Sequence, residues 1–249
     1  MKILQLSIAL CLSIFFNPVQ AQTVDDILET YMENIGGQER LRMLQGLKMT
    51  ASVNQRGTEI PFQIVQLKDG RQMTVIHFHG KELKQRVFDG ETLWGHNFST
   101  LVPERSDTET TENFKLRAND FPIVFLDYKQ KGYRVELLGK AVVHGNEAYK
   151  VKLVKEPLIV DGEEVEDVSY YFFDMERFFP VAIHSEIMYG KEKGQMQEVV
   201  MSDYQEVEGL YFPFFLIQGI VGEPGNLLTI NRIELNPEIA DETFSFPGD

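Results

Sequence analysis

Apolar residues recur at two periods in this chain, and only one stretch holds the longer one. Val24, Ile27, Leu28, Tyr31, Met32 and Ile35 fall at i, i+3, i+4, i+7, i+8 and i+11. That spacing is one stripe of a 3.6-residue turn, so it predicts an amphipathic helix over residues 23–35. Thr23 stands where an N-cap is needed, Asp26 can return the bond of a capping box, and Gly36-Gly37 stops the helix. Residues 38–44 predict a second, short helix with Leu41 and Leu44 on one side and Gly46 as its stop.

After Gly46 the period shortens to two. Residues 47–55, 59–67, 72–79, 82–88 and 92–97 read as strands, with Asp89-Gly90 the strongest short hairpin signal between them. Residues 103–127 break the pattern. Glu104, Asp107, Glu109 and Glu112 predict a helical excursion with a solvated acidic face, and Phe121, Ile123, Val124, Phe125 and Leu126 predict an apolar end docked on the sheet. Strands resume at 133–139 and 148–154 and continue through 227–235. About eleven strands with short connections predict a mainly β, antiparallel meander too wide to stay flat. Several strands are apolar at consecutive positions, as in Tyr170-Tyr171-Phe172-Phe173 and Tyr211-Phe212-Pro213-Phe214-Phe215. One such face can lie under the helices. A second predicts either a sheet closed on itself or space for an apolar ligand.

Ahead of the helix, Lys2, the apolar run 3–16 and Val19-Gln20-Ala21 have the layout of a secretory leader cut after Ala21. The expected product is a periplasmic domain of residues 22–249 without a lipid anchor, because Cys11 lies inside the leader and follows Leu10. Loss of the leader leaves 23 basic against 38 acidic residues, a net charge of −15. That balance excludes nucleic acid as a partner and disfavours anionic lipid surfaces.

Candidate chemistry is sparse. His77-Phe78-His79 puts two imidazoles on one strand face, but the following Lys81, Lys84 and Arg86 make a solvated polar face the better reading. His96, His144 and His184 form no group along the chain, so a hydrolase would require three histidines to converge in space. The chain holds no Gly-rich phosphate loop, His-Glu-x-x-His helix or Gly-x-Ser-x-Gly elbow. We therefore expect no catalytic residue, no metal and no cofactor. Trp94 reads as a core or rim aromatic.

At the hairpin a family resemblance enters. Val87-Phe88-Asp89-Gly90-Glu91-Thr92-Leu93-Trp94-Gly95-His96-Asn97 resembles the signature of LolA-type outer-membrane lipoprotein carriers. Asp127-Tyr128-Lys129, Lys131-Gly132-Tyr133, Ser202-Asp203-Tyr204 with Phe212-Pro213, and Ile233-Glu234-Leu235-Asn236-Pro237 look like later segments of the LolA-like lipoprotein-sorting branch. The resemblance implies an incomplete, curved antiparallel β-barrel whose mouth is covered by the N-terminal helix and the mid-chain excursion. It implies an apolar interior that carries lipoprotein or other lipid acyl chains from an inner-membrane donor to an outer-membrane acceptor. The expected lining is Leu28, Met32 and Ile35 from the helix with Phe62, Ile64, Met73, Val75, Trp94, Tyr170, Phe172 and Phe214 from the strands. In the carriers an arginine on an early strand holds the lid helices by backbone hydrogen bonds; Lys68 stands at the matching position, with Arg71 close by. A lysine offers a point charge and no planar fork. The fold also implies an alternative, a lipid-responsive sensor domain that regulates a membrane partner.

Overall fold

The computed structural model describes residues 22–55, 57–78 and 80–248; the expected leader lies outside them. Helix α1 spans Val24–Asn34 and α2 spans Gln38–Met43. Both halves of the capping box form: the Thr23 hydroxyl accepts the Asp26 amide at 3.1 Å, and the Asp26 carboxylate accepts the Thr23 amide at 2.9 Å. Strands β1 (Gly46–Gln55), β2 (Thr58–Leu67), β3 (Gln72–Phe78), β4 (Lys81–Phe88), β5 (Leu93–His96) and β6 (Pro103–Arg105) precede α3 (Thr108–Ala118). After it come β7 (Arg134–Val143), β8 (Asn146–Val154), β9 (Leu158–Val160), β10 (Glu163–Val165), β11 (Val168–Asp174) and β12 (Pro180–Glu186). The last three are β13 (Met196–Val207), β14 (Leu210–Ile220) and β15 (Asn226–Leu235).

Thirteen of these strands form one antiparallel sheet in the order β6-β5-β4-β3-β2-β1-β15-β14-β13-β12-β11-β8-β7. Strands β9 and β10 form a separate hairpin across Asp161-Gly162. The expectation of about eleven strands falls short because β6, β9 and β10 are three residues each, too short to show a period.

The sheet curls. Phe62 on β2 and Leu153 on β8 share one core with α1, although six strands stand between them. Laid flat they would be about 34 Å apart at the usual strand spacing, and a helix only about 10 Å across could not touch both. The edges β6 and β7 do not pair, so the curl stays an open barrel. α3 meets the β9–β10 hairpin: the buried Asn113 side chain accepts from the Ile159 amide at 2.9 Å and donates back to its carbonyl. The acidic run is solvated as expected, with Glu104, Asp107 and Glu112 exposed, and two of its carboxylates also bind backbone. Asp107 caps α3 through the Thr110 amide, and Glu109 accepts the amides of Asp161 and Gly162. Its apolar sequel docks as expected, with Phe125 and Leu126 buried against α1.

Candidate functional site

Side chains on the inner face come from alternate positions of each strand, and register identifies them. Ala51 pairs with Phe62 and Ile230, Met49 with Ile64 and Ile233, and Phe62 with Ile76. Onto this face α1 lays Ile27, Leu28, Tyr31, Met32 and Ile35, all buried. Tyr31 stands edge-on to Phe173 and Phe125, with ring centroids 5.4 and 6.3 Å away. The core is not filled evenly. Ile64, Ile76, Phe214, Leu216 and Leu228 pack against it yet remain only half-buried. They form a half-exposed apolar patch on the inner face of the central strands.

Polar ties hold the helices over this face. Asp25 accepts from the Tyr128 hydroxyl and from Lys129 Nζ at 2.8 Å. Asn34 donates to the Arg177 carbonyl at 2.7 Å, and the Tyr211 amide donates to the Ile35 carbonyl at 2.9 Å. Gly36 allows that approach, since a Cβ there would stand 2.2 Å from the Gly209 carbonyl oxygen. On α2, Arg42 pairs with Asp127 at 2.7 Å, and Lys68 Nζ donates to the Arg42 carbonyl at 2.8 Å. Lys68 thus reaches a helix C-terminus, where carbonyls lack intrahelical partners and a cation is favourable. Arg71 turns away, to Asp69 and to Asp241.

The Lys129 and Tyr128 hydrogen bonds lower the Asp25 pKa, and Arg42 lowers that of Asp127. A carboxylate with a depressed folded pKa stabilises fully above its ordinary value of 3.8 and loses that contribution as pH falls through the folded value. Acidification below about pH 4 is therefore expected to release α1 and α2 while the sheet persists. Amide exchange corrected for its intrinsic pH dependence should rise over 24–43 before it rises in β1 and β15; loss of both together would count against separate ties.

No family model and no curated relative matches the sequence. Solved structures do. A DUF1329 family protein from Desulfovibrio piger superposes with a TM-score of 0.55 at 13% identity, covering 90% of this chain and 98% of that one. A LolA superfamily protein from Nitrosomonas europaea gives 0.53 at 14% identity, covering 90% and 98%. A putative outer membrane lipoprotein-sorting protein domain from Vibrio parahaemolyticus gives 0.53 at 10% identity, covering 87% and 95%. This chain has a LolA-like fold.

Within the LolA-like sheet the expected lining divides between faces. Leu28, Met32, Ile35, Phe62, Ile64 and Phe214 join the inner core. Met73, Val75 and Trp94 lie on the outer face with Val65 and Phe244, and Trp94 Nε1 donates to the Phe244 carbonyl at 2.8 Å. Tyr170 and Phe172 also face outward, beside Ala148 and Ala182, with Lys150 Nζ 4.6 Å from the Tyr170 ring centroid. A single cavity lined by all eleven residues is thus corrected: strand pleating puts neighbours such as Phe172 and Phe173 on opposite sides. Ile76, Tyr171, Leu216, Leu228 and Phe125, which the sequence reading missed, take the inner positions. The outer apolar positions of β2–β5 also have an ordinary cover, because Ile239, Phe244 and Phe246 from the C-terminal segment lie on them.

The LolA-like sheet brings two histidines together. His144 and His184 both place Nε2 against Glu198 Oε1, at 2.9 and 2.7 Å, on the outer face. His96 lies elsewhere, with Nδ1 against the Lys84 backbone, and His77 is exposed; His79 lies outside the described residues. Among the described residues no three histidines converge, and no cluster of three metal-ligating side chains able to hold an ion occurs.

Proposed function

We propose that this protein is a non-catalytic, exported carrier of acyl chains, of lipoproteins or of other lipids. One observation supports it above the others: the half-buried apolar patch of Ile64, Ile76, Phe214, Leu216 and Leu228 on the inner face of an open LolA-like barrel. Each methylene fully buried against such a surface gains about 0.8 kcal/mol, so a chain of ~14 methylenes gains at most about 11 kcal/mol. In this reading the leader is cut after Ala21, residues 22–249 form the single carrier domain, and α1 with α2 is a lid. Lys68 and Asp127 are its latches. The lid opens toward an inner-membrane donor and again toward an outer-membrane acceptor.

Native mass spectrometry of protein taken from the cell envelope should show co-bound lipid or lipopeptide, and Phe214→Asp should lose it while remaining folded. Trp94 is buried under the C-terminal segment, so a fluorescent acyl probe is the better reporter. Lipid-free protein that takes up no acyl probe at saturation would end this reading. A second reading, a lipid-responsive domain that regulates a membrane partner, draws on Phe215, Ile217 and Leu227, which stand exposed on the outer face of β14 and β15. Ile217→Lys should leave lipid uptake intact under either reading and interrupt signalling only under the second.

A further inference from the structure

A pocket of about 400 Å³ opens between α3 and β4–β5, at the side where the sheet fails to close. Its apolar wall includes Leu93 and Phe114, which pack with Phe88. Three arginines also line it: Arg105, whose Cζ lies 4.0 Å from the Phe246 ring centroid, and Arg86 and Arg117.

Arg86 is aimed there by a backbone irregularity. Between the pairs Gln72↔Phe88 and Thr74↔Gln85, β4 carries one residue more than β3. Arg86 occupies this bulge with φ of 51°, in the left-handed region that every residue but glycine enters at a cost. Bulges of this kind redirect side chains. Lys84 and Val87 both stay on the outer face, Lys84 6.0 Å from the Trp94 ring centroid and Val87 in the same cluster. The extra residue turns Arg86 toward α3, its Cζ 5.4 Å from the Phe114 ring centroid and its side chain open to solvent.

Neither Arg86 nor Arg117 has an ion pair or side-chain hydrogen bond among the described residues. One carboxylate lines the pocket, that of Glu104, and it accepts from Asn97 Nδ2 at 3.2 Å and forms no ion pair with either of these two guanidinium groups. The protein around Arg86 desolvates it, and Arg117 repels it, so both lower its pKa. Like charges that share a pocket and have no carboxylate paired to them are unfavourable until an anion enters between them. An oxyanion with several acceptor oxygens suits two planar forks. The apolar wall beside them suits the start of a hydrocarbon chain.

We infer that this pocket is a head-group subsite that takes the phosphate of an amphiphile, with Arg86 and Arg117 on its oxygens and Phe114 and Leu93 against the first methylenes. The inference rests on the carrier reading and names the polar end of the cargo. Isothermal titration can test it with three probes: monomeric dihexanoyl phosphatidic acid, uncharged monohexanoyl glycerol, and inorganic phosphate. The phospholipid should bind more tightly than either other probe. Arg86→Gln and Arg117→Gln should each weaken it by about tenfold or more, Arg86→Lys by less, with monohexanoyl glycerol binding unchanged. Equal phospholipid affinity in wild type and both glutamine variants, with all three chains folded by circular dichroism, would overturn the subsite. Inorganic phosphate binding as tightly as the phospholipid would keep the oxyanion site and overturn its assignment to a lipid head group. Phosphate bound through Arg86 with no acyl probe taken up anywhere would overturn the carrier reading and leave the anion site standing.

Discussion

Replacing Phe173 by alanine is expected to destabilise the fold by about 3–5 kcal/mol and to loosen α1 more than any other element. The Phe173 ring is 0% exposed and joins three layers. It stands 5.4 Å from Tyr31 on α1, 5.7 Å from Phe125 in the segment after α3, and belongs to β11 in the sheet. The cavity left by the ring cannot collapse without moving one of these layers. For a domain of this size each kcal/mol lowers the melting temperature by about 2–4 °C, so a fall of roughly 6–20 °C is expected. Phe172→Ala is the control one residue away. It opens a cavity on the outer face beside His184, so it should lower the melting temperature without speeding amide exchange in α1. An unchanged melting temperature for Phe173→Ala, or equal exchange of α1 in both variants, would contradict this account of the core.

Joining Asp25 to Lys129 covalently is expected to slow lipid uptake by at least an order of magnitude, as locking a lid does. Lys129 Nζ lies 2.8 Å from Asp25 Oδ2 and both side chains reach solvent, so a carbodiimide can close an amide bond between them with no spacer. That bond would fix the first turn of α1 to the segment beside it. Lys129→Arg keeps the ion pair and cannot form the amide, so it separates this bond from others the reagent makes. Peptide mass mapping would identify the linked pair. If the linked protein loads a fluorescent acyl probe at the native rate, α1 is not the lid.

Local features were legible in the sequence, and faces were not. The α1 stripe, its capping box and the Asp89-Gly90 turn depend on residues within a few positions of one another, and each formed as read. The role of Met73, Val75, Trp94, Tyr170 and Phe172 depends on register, and a strand apolar at consecutive positions carries no alternation to set it. The reason for that ambiguity is now visible. β2–β5 are covered on one side by helices and on the other by Phe244 and Phe246, residues that follow every strand in the chain. Lys68 was legible by its place before a turn, and its partner, a backbone carbonyl on α2, was not. The grouping of His144 with His184 was hidden because a hairpin turn and a strand 40 residues on meet only through the sheet. Arg86 read as part of a basic strand face; the bulge that turns it toward α3 leaves no mark in residue type.

The pairing of β1 with β15 sets a condition on how the molecule is made. These strands lie side by side in the middle of the sheet, yet Leu47 and its partner Leu235 stand at opposite ends of the folded chain. The strands on either side are hairpin-linked neighbours that can assemble locally, whereas this seam closes a loop of nearly the whole domain, a slow step by its topology. Until the final strand arrives, β1 and β14 are two bare internal edges, each able to accept a foreign strand. A ribosome-bound chain lacking residues 226–235 is therefore an open template, and its safety depends on how quickly synthesis ends.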